Sequence, residues 1–86
     1  IIGIKMVPNQ INHSRFGILI SVKVSKKAVI RNKIKRQIRD IISMQLDKIK
    51  QEYDCVIICL PEIAGKEHKE IEKSLIGHFK RIGIYK

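Results

Sequence analysis

Between Ile30 and Ile49 the apolar residues of this chain fall in steps of three and four (Ile30, Ile34, Ile38, Ile41, Ile42, Leu46, Ile49), while the apolar runs on either side are short and rich in isoleucine and valine. Steps of three and four set one stripe along a helix, and short β-branched runs closed by proline or polar residues are strands. The spacing predicts a helix from about Ala28 to Lys50, with Ser25 as a cap near its start. Such a stripe must lie on something flat and apolar, and the flanking runs supply it. Ile1 to Val7, closed by Pro8-Asn9, reads as a strand running into a polar loop, Asn9 to Ser14. Arg15 to about Val24 reads as a second strand with Phe16, Ile18 and Ile20 turned to the core and Arg15, Gly17 and Ser21 opposite. Leu19 and Val22 blur that alternation and predict cover on both faces. Tyr53 to Leu60, closed by Pro61, is a largely buried strand. After Gly65, Lys66 to about Ile82 places Ile71, Leu75, Phe79 and Ile82 at helical spacing.

The order is strand, strand, long helix, strand, helix, and the strand–helix–strand unit implies a parallel pair. The expected fold is an α/β (α+β) two-layer sandwich. Its 86 residues make one domain with no room for a separate regulatory unit. With two Phe, two Tyr and no Trp, the core must come mostly from the 19 isoleucines. Two cysteines cannot build a disulfide framework, and no apolar run approaches the roughly 20 residues of a membrane span. A cytoplasmic, reducing setting is expected. The chain opens without Met in an apolar run too short for a signal peptide, and reads as a fragment whose natural start is missing.

Charge narrows the function. Residues 1–39 hold ten basic side chains (Lys5, Arg15, Lys23, Lys26, Lys27, Arg31, Lys33, Lys35, Arg36, Arg39) and no acid, whereas residues 40–86 hold eight of each sign. The entire net charge of +10 therefore lies in the first half. At about 100° per residue, Lys35, Arg36 and Arg39 face away from the stripe of Ile34, Ile38 and Ile41, Lys33 lies further round, and Arg31 falls on the edge of the apolar side. A mixed charge run is ordinarily a solvated helix face. Eight cations between Lys23 and Arg39 without one acid repel each other and oppose folding, so a polyanionic partner is the better account. Arginines fork onto phosphate oxygens, lysines act as point charges, and Asn32 can hydrogen-bond a base edge, sugar or phosphate. No helix-turn-helix or zinc pattern of a DNA groove reader is present, so the lean is to shaped RNA.

The run Ser21-Val-Lys-Val-Ser-Lys-Lys-Ala-Val-Ile-Arg-Asn-Lys-Ile-Lys-Arg36 resembles the signature of the protein component of bacterial ribonuclease P, in which a Ser-Lys-Lys strand end leads into an Arg-Asn-Arg-x-Lys-Arg helix. The Tyr53-Asp54 strand entry, the Pro61 exit, and Phe79 and Tyr85-Lys86 near the end are similar in spacing. The resemblance implies a subunit that binds the catalytic RNA of ribonuclease P and, through a separate cleft on its sheet, the 5′ leader of precursor tRNA. The RNA with Mg²⁺ would do the cleavage, so no metal site and no catalytic residue is expected on the protein. It also implies a fold similar to a domain of a small-subunit ribosomal protein, with a left-handed β-α-β crossover against the general right-handed rule. Carried over, Arg31, Asn32, Lys33, Lys35 and Arg36 match the RNA-facing helix, Ser21 and Lys23 the strand end, and Arg15 a basic strand start. Lys26, Lys27 and Arg39 complete the expected RNA-binding set. Lys33 stands where the family usually has its second Arg, and Val22 replaces the first of the paired lysines, so that one strand-end contact is either absent or supplied by Lys26 or Lys27. The family's N-terminal helix, with its aromatic side of the leader cleft, has no counterpart among these residues.

Other residues look chemical but are not placed for it. Cys55 and Cys59 sit four apart on a strand, about 13 Å along the backbone, and read as small buried hydrophobes. His13, His68 and His78 have no acid spaced for a metal site or triad. Glu67, Glu70 and Glu72 interleave with Lys66, Lys69 and Lys73 as on a solvated helix face. Two alternatives stay open: another basic binding module, ribosome-associated or DNA-binding, and a membrane-surface helix, the latter weak because the core already uses the apolar stripe. The expected partners are ribonuclease P RNA and precursor tRNA, without a membrane or an obligatory protein partner. If six to eight phosphates are engaged, the slope of log affinity against log salt, measured by filter binding, is roughly −4 to −7; a slope near zero would remove the electrostatic reading.

Overall fold

The computed structural model describes residues 1–11 and 14–86. Three strands, β1 (Ile2–Pro8), β2 (Arg15–Ile20) and β3 (Tyr53–Cys59), form one sheet in the order β1-β3-β2. Strand β3 runs antiparallel to β1 and parallel to β2. Helix α1 (Ala28–Ser43) crosses from β2 to β3, and α2 (His68–Ile82) follows β3. The parallel pair and the two-layer arrangement are those that the periodicity predicts.

Alternation decides which sheet face is covered. Ile2, Cys55, Ile57 and Cys59 are buried on the face beneath the helices, with Ile4, Met6, Phe16, Ile18, Ile20 and Tyr53 packed beside them. Helix α1 contributes Ile34, Ile38, Ile41 and Ile42, and α2 contributes Ile71, Leu75 and Phe79. Isoleucine supplies most of this core, but its middle is aromatic: the Phe79 ring lies 6.3 Å from Phe16 and 6.0 Å, edge-on, from Tyr85. The cysteines are free and buried, and burial pushes the Cys55 thiol up to about 11.

Four expectations are corrected. Strand β2 stops at Ile20 rather than near Val24, because Ser21 captures the next amides: its hydroxyl accepts from Lys23 N–H at 3.2 Å and its carbonyl from Val24 N–H at 3.1 Å. Its outer face is open, with Leu19 57% exposed, so the strand is not covered on both sides. Helix α1 ends at Ser43 rather than Lys50. The Ser43 hydroxyl donates to the Asp40 carbonyl, and a single 3₁₀ turn at Leu46–Lys48 follows, leaving Leu46 exposed. Ile49 is buried as predicted, but through a bridge to Tyr85, with Lys50 N–H on Ile84 O at 2.8 Å and Lys86 N–H on Lys48 O at 2.9 Å. Finally, Ser25 does not cap α1. Lys27 holds that position without a side-chain cap, and the Ser25 hydroxyl instead accepts the Lys27 N–H at 3.2 Å.

Gly83 closes α2 in the left-handed conformation at φ 72°, which L side chains rarely adopt, and this turns Ile84 into the core. Because Phe79 is fully buried and touches both other rings, Phe79→Ala should cost about 3–5 kcal/mol in urea unfolding. Phe79→Leu, which keeps most of the volume, should cost clearly less.

Candidate nucleic-acid interface

The apolar stripe of α1 is fixed to the sheet, so its other residues take defined directions. Setting Ile38 at zero and advancing about 100° per residue, Lys35, Arg39, Asn32 and Arg36 follow one another around an arc from about 60° to 160°. Asn32, Arg36 and Arg39 are exposed, and Lys35 is half-buried near Cys59. These four form a ridge on one flank of the helix, and Arg39 on that flank borders the groove towards β2. Lys33 is exposed on the other flank, beside Gln37 and near Lys66 and His68 at the start of α2. It is not part of the same ridge.

Arg31 behaves as its edge azimuth requires. It is half-buried, and its Nη1 donates to the Ser25 carbonyl at 2.8 Å, tying the start of α1 to the preceding turn. Ser21, Lys23, Lys26 and Lys27 are exposed in that turn and at the helix cap. No acid stands in the first turn of α1, and no side chain caps its amides. The positive end of the helix dipole therefore adds to the lysines rather than opposing them.

Arg15 lies elsewhere. It projects from the outer sheet face, away from α1, and forms a two-pronged pair with Asp54 directly across on β3: Nε to Oδ1 at 2.9 Å and Nη2 to Oδ2 at 2.7 Å. The carboxylate, by hydrogen bond and charge, raises the Arg15 pKa further. Asn9 also donates its amide to Asp54 Oδ1 at 2.8 Å. Among the described residues the other ion pair is Lys66–Glu70 at 3.7 Å, so no carboxylate is within ion-pairing distance of an α1 cation.

The resemblance implies a cleft on the sheet, but periodicity does not name the residues that line it. Phe16 and Ile18 from β2, with Ser14 just before it, face Arg39, Ile42 and Ser43 from α1 and Leu46 from the following 3₁₀ turn across a shallow groove with an apolar wall. Alternation predicts that Phe16 and Ile18 face inward, but only the position of β2 at the sheet edge makes them partly accessible. The two described histidines lie apart from the ridge: His78 shares a ring nitrogen with the Ser74 carbonyl at 2.9 Å and His68 is exposed at the start of α2, while His13 lies outside the described residues. Among the described residues no cluster of three metal-ligating side chains occurs, and no helix is long and apolar enough to cross a membrane.

Fold and ridge together define a class: a small two-layer α/β domain whose crossover helix displays cations without carboxylate partners. A sequence model of ribonuclease P matches residues 2–83, and the chain belongs to the ribonuclease P protein family. It is 47% identical over 75 residues to the ribonuclease P protein component of Synechocystis, covering 87% of this chain and 60% of that protein. Against the Clostridium botulinum component it is 42% identical over 78 residues, covering 90% and 69%. The chain thus spans about 60–69% of the length of these relatives. The solved Staphylococcus aureus RNase P protein superposes with a TM-score of 0.88 at 29% identity, covering 99% of this chain and 77% of that one.

Two substitutions separate the charges. Asp54→Asn should release Arg15 and raise the net charge by one, tightening RNA binding and steepening its salt slope by up to about one unit; an unchanged slope would show that Arg15 stays off the RNA. Arg36→Ala should weaken RNA binding with Tm unchanged, reducing the slope by about one, whereas Arg31→Ala should also lower Tm, because it frees the Ser25 carbonyl.

Proposed function

We propose that this chain is the RNA-docking domain of a ribonuclease P protein subunit: it binds the catalytic RNA through the α1 ridge and assists removal of the 5′ leader from precursor tRNA. The observation that carries this reading is a helix anchored by four buried isoleucines whose cations, among the described residues, lack carboxylate partners. In this reading Arg36 and Arg39 fork onto phosphates, Lys26, Lys27 and Lys35 add point charge, and Asn32 reads a base edge or a sugar hydroxyl. Ser21 and Lys23 approach from the turn before the helix. Lys33 touches RNA only if the partner also reaches the flank near α2, and Arg15 joins only when it exchanges Asp54 for a phosphate.

The groove between β2 and α1 suits a single strand, with an apolar wall at Phe16 and Ile18 for bases and Arg39 on the rim for backbone. Chemistry is assigned to the RNA with its Mg²⁺, and the protein supplies position and charge. The arrangement of the α1 ridge supports this: it presents cations and an amide, and among the described residues no carboxylate is within ion-pairing distance of them. A cytoplasmic setting follows from that partner. Reconstitution of the full-length protein with ribonuclease P RNA should lower the Mg²⁺ concentration needed for half-maximal cleavage of precursor tRNA. An unchanged Mg²⁺ requirement together with no binding to that RNA would overturn the reading.

A further inference from the structure

The acids and lysines that alternate along the start of α2 do not alternate in space. Setting Lys69 at zero, Lys80, Lys73, Gly77 and Arg81 follow within an arc of about 120°, and Lys66, in the turn before the helix, lies beside them. All six are exposed. Glu67 is turned to the α1 side, near Lys33, and Glu72 to the opposite groove, near Met44 and Gln45. Glu70 is the one acid within the arc, and it is paired with Lys66. What remains is a stripe of cations on the outer surface of α2, and lysines four apart on a helix repel one another.

Gly77 is the second observation. It sits in the helix interior, where glycine is among the poorest formers. The fold does not require it: a Cβ built there meets nothing within 4 Å, and it lacks the positive φ of Gly65 and Gly83. It lines a shallow concavity together with Lys66, Lys73 and Arg81, and with Ile1 and Glu70, the acid paired to Lys66. A missing side chain that serves no internal contact, beside Lys73 and Arg81, lets a backbone approach closely from outside. Lys69 and Lys73 are about 6 Å apart along the axis, which places neighbouring cations within reach of successive phosphates.

We infer that the outer stripe of α2 is a second RNA-docking surface, which takes a phosphate backbone over Gly77 separately from the α1 ridge. The inference rests on the RNA-binding reading above. Filter binding of the full-length protein to ribonuclease P RNA across a salt series tests it. Lys69→Gln/Lys73→Gln/Arg81→Gln should reduce the magnitude of the log–log salt slope by roughly 2–3 and weaken binding at least about tenfold near 0.15 M salt. The control, Lys5→Gln/Lys50→Gln/Lys86→Gln, removes equal charge from exposed positions away from the stripe and should change the slope by less than about one. Gly77→Gln keeps the charge, should hold or raise Tm, and should weaken binding by filling the concavity. Equal losses for the two triple variants, or unchanged affinity in Gly77→Gln, would overturn the second surface. If Arg36→Ala/Arg39→Ala then still loses binding, the α1 reading survives alone; if the unaltered protein fails to bind this RNA, both fall.

Discussion

Burial of Ile34, Ile38, Ile41 and Ile42 beneath α1 is the constraint on which the rest depends. Each buried isoleucine contributes about 1.5–3 kcal/mol, so the four together outweigh the few tenths of a kcal/mol that each like-charge pair on the helix surface costs. The helix cannot roll to bring its cations nearer to acids without exposing the stripe. Position in the sequence thus becomes direction in space, and the backbone that carries Asn32, Lys35, Arg36 and Arg39 is held in place by the core beneath it.

The same anchoring sorts the cations that sequence groups together. Arg31, seven residues before Ile38, is drawn to the margin of the core and becomes a fastener for the turn at Ser25. Lys33 goes to the α2 side, and Arg15, on an odd position of β2, goes to the far side of the sheet, where Asp54 neutralises it. A count of basic residues treats these as equivalent; helix and strand periodicity divide them between an open ridge, a structural tie and a closed ion pair.

Much of this was legible beforehand. The periods of two and three-to-four placed three strands and two helices, their order implied the parallel pair, and the same arithmetic put Arg36 and Arg39 outward and Arg31 at the margin, whereas Lys35, expected outward, is half-buried near Cys59. What the sequence hid were competitions settled by a single hydrogen bond or a distant residue. Ser21 ends β2 by accepting amides that the ladder would otherwise use, and no local signal distinguishes it from a serine in an extended strand. Ile49 keeps the helical spacing yet is buried beside Tyr85, 36 residues on, so a true burial pattern mimics a longer helix. The pairing of Arg15 with Asp54 depends on strand register, and the accessible wall at Phe16 and Ile18 depends on strand order, neither of which periodicity contains.

The strand order has one more effect, on when the chain can fold. Strands β1 and β2 are not neighbours: each pairs only with β3, which follows them in the chain, and the turn after α1 is pinned by Ile84 and Tyr85. On the ribosome, then, the first half emerges with its cations clustered and no sheet to lie on, and the molecule can close only after the last strand has been inserted between the first two. Assembly is paced by the late arrival of its middle.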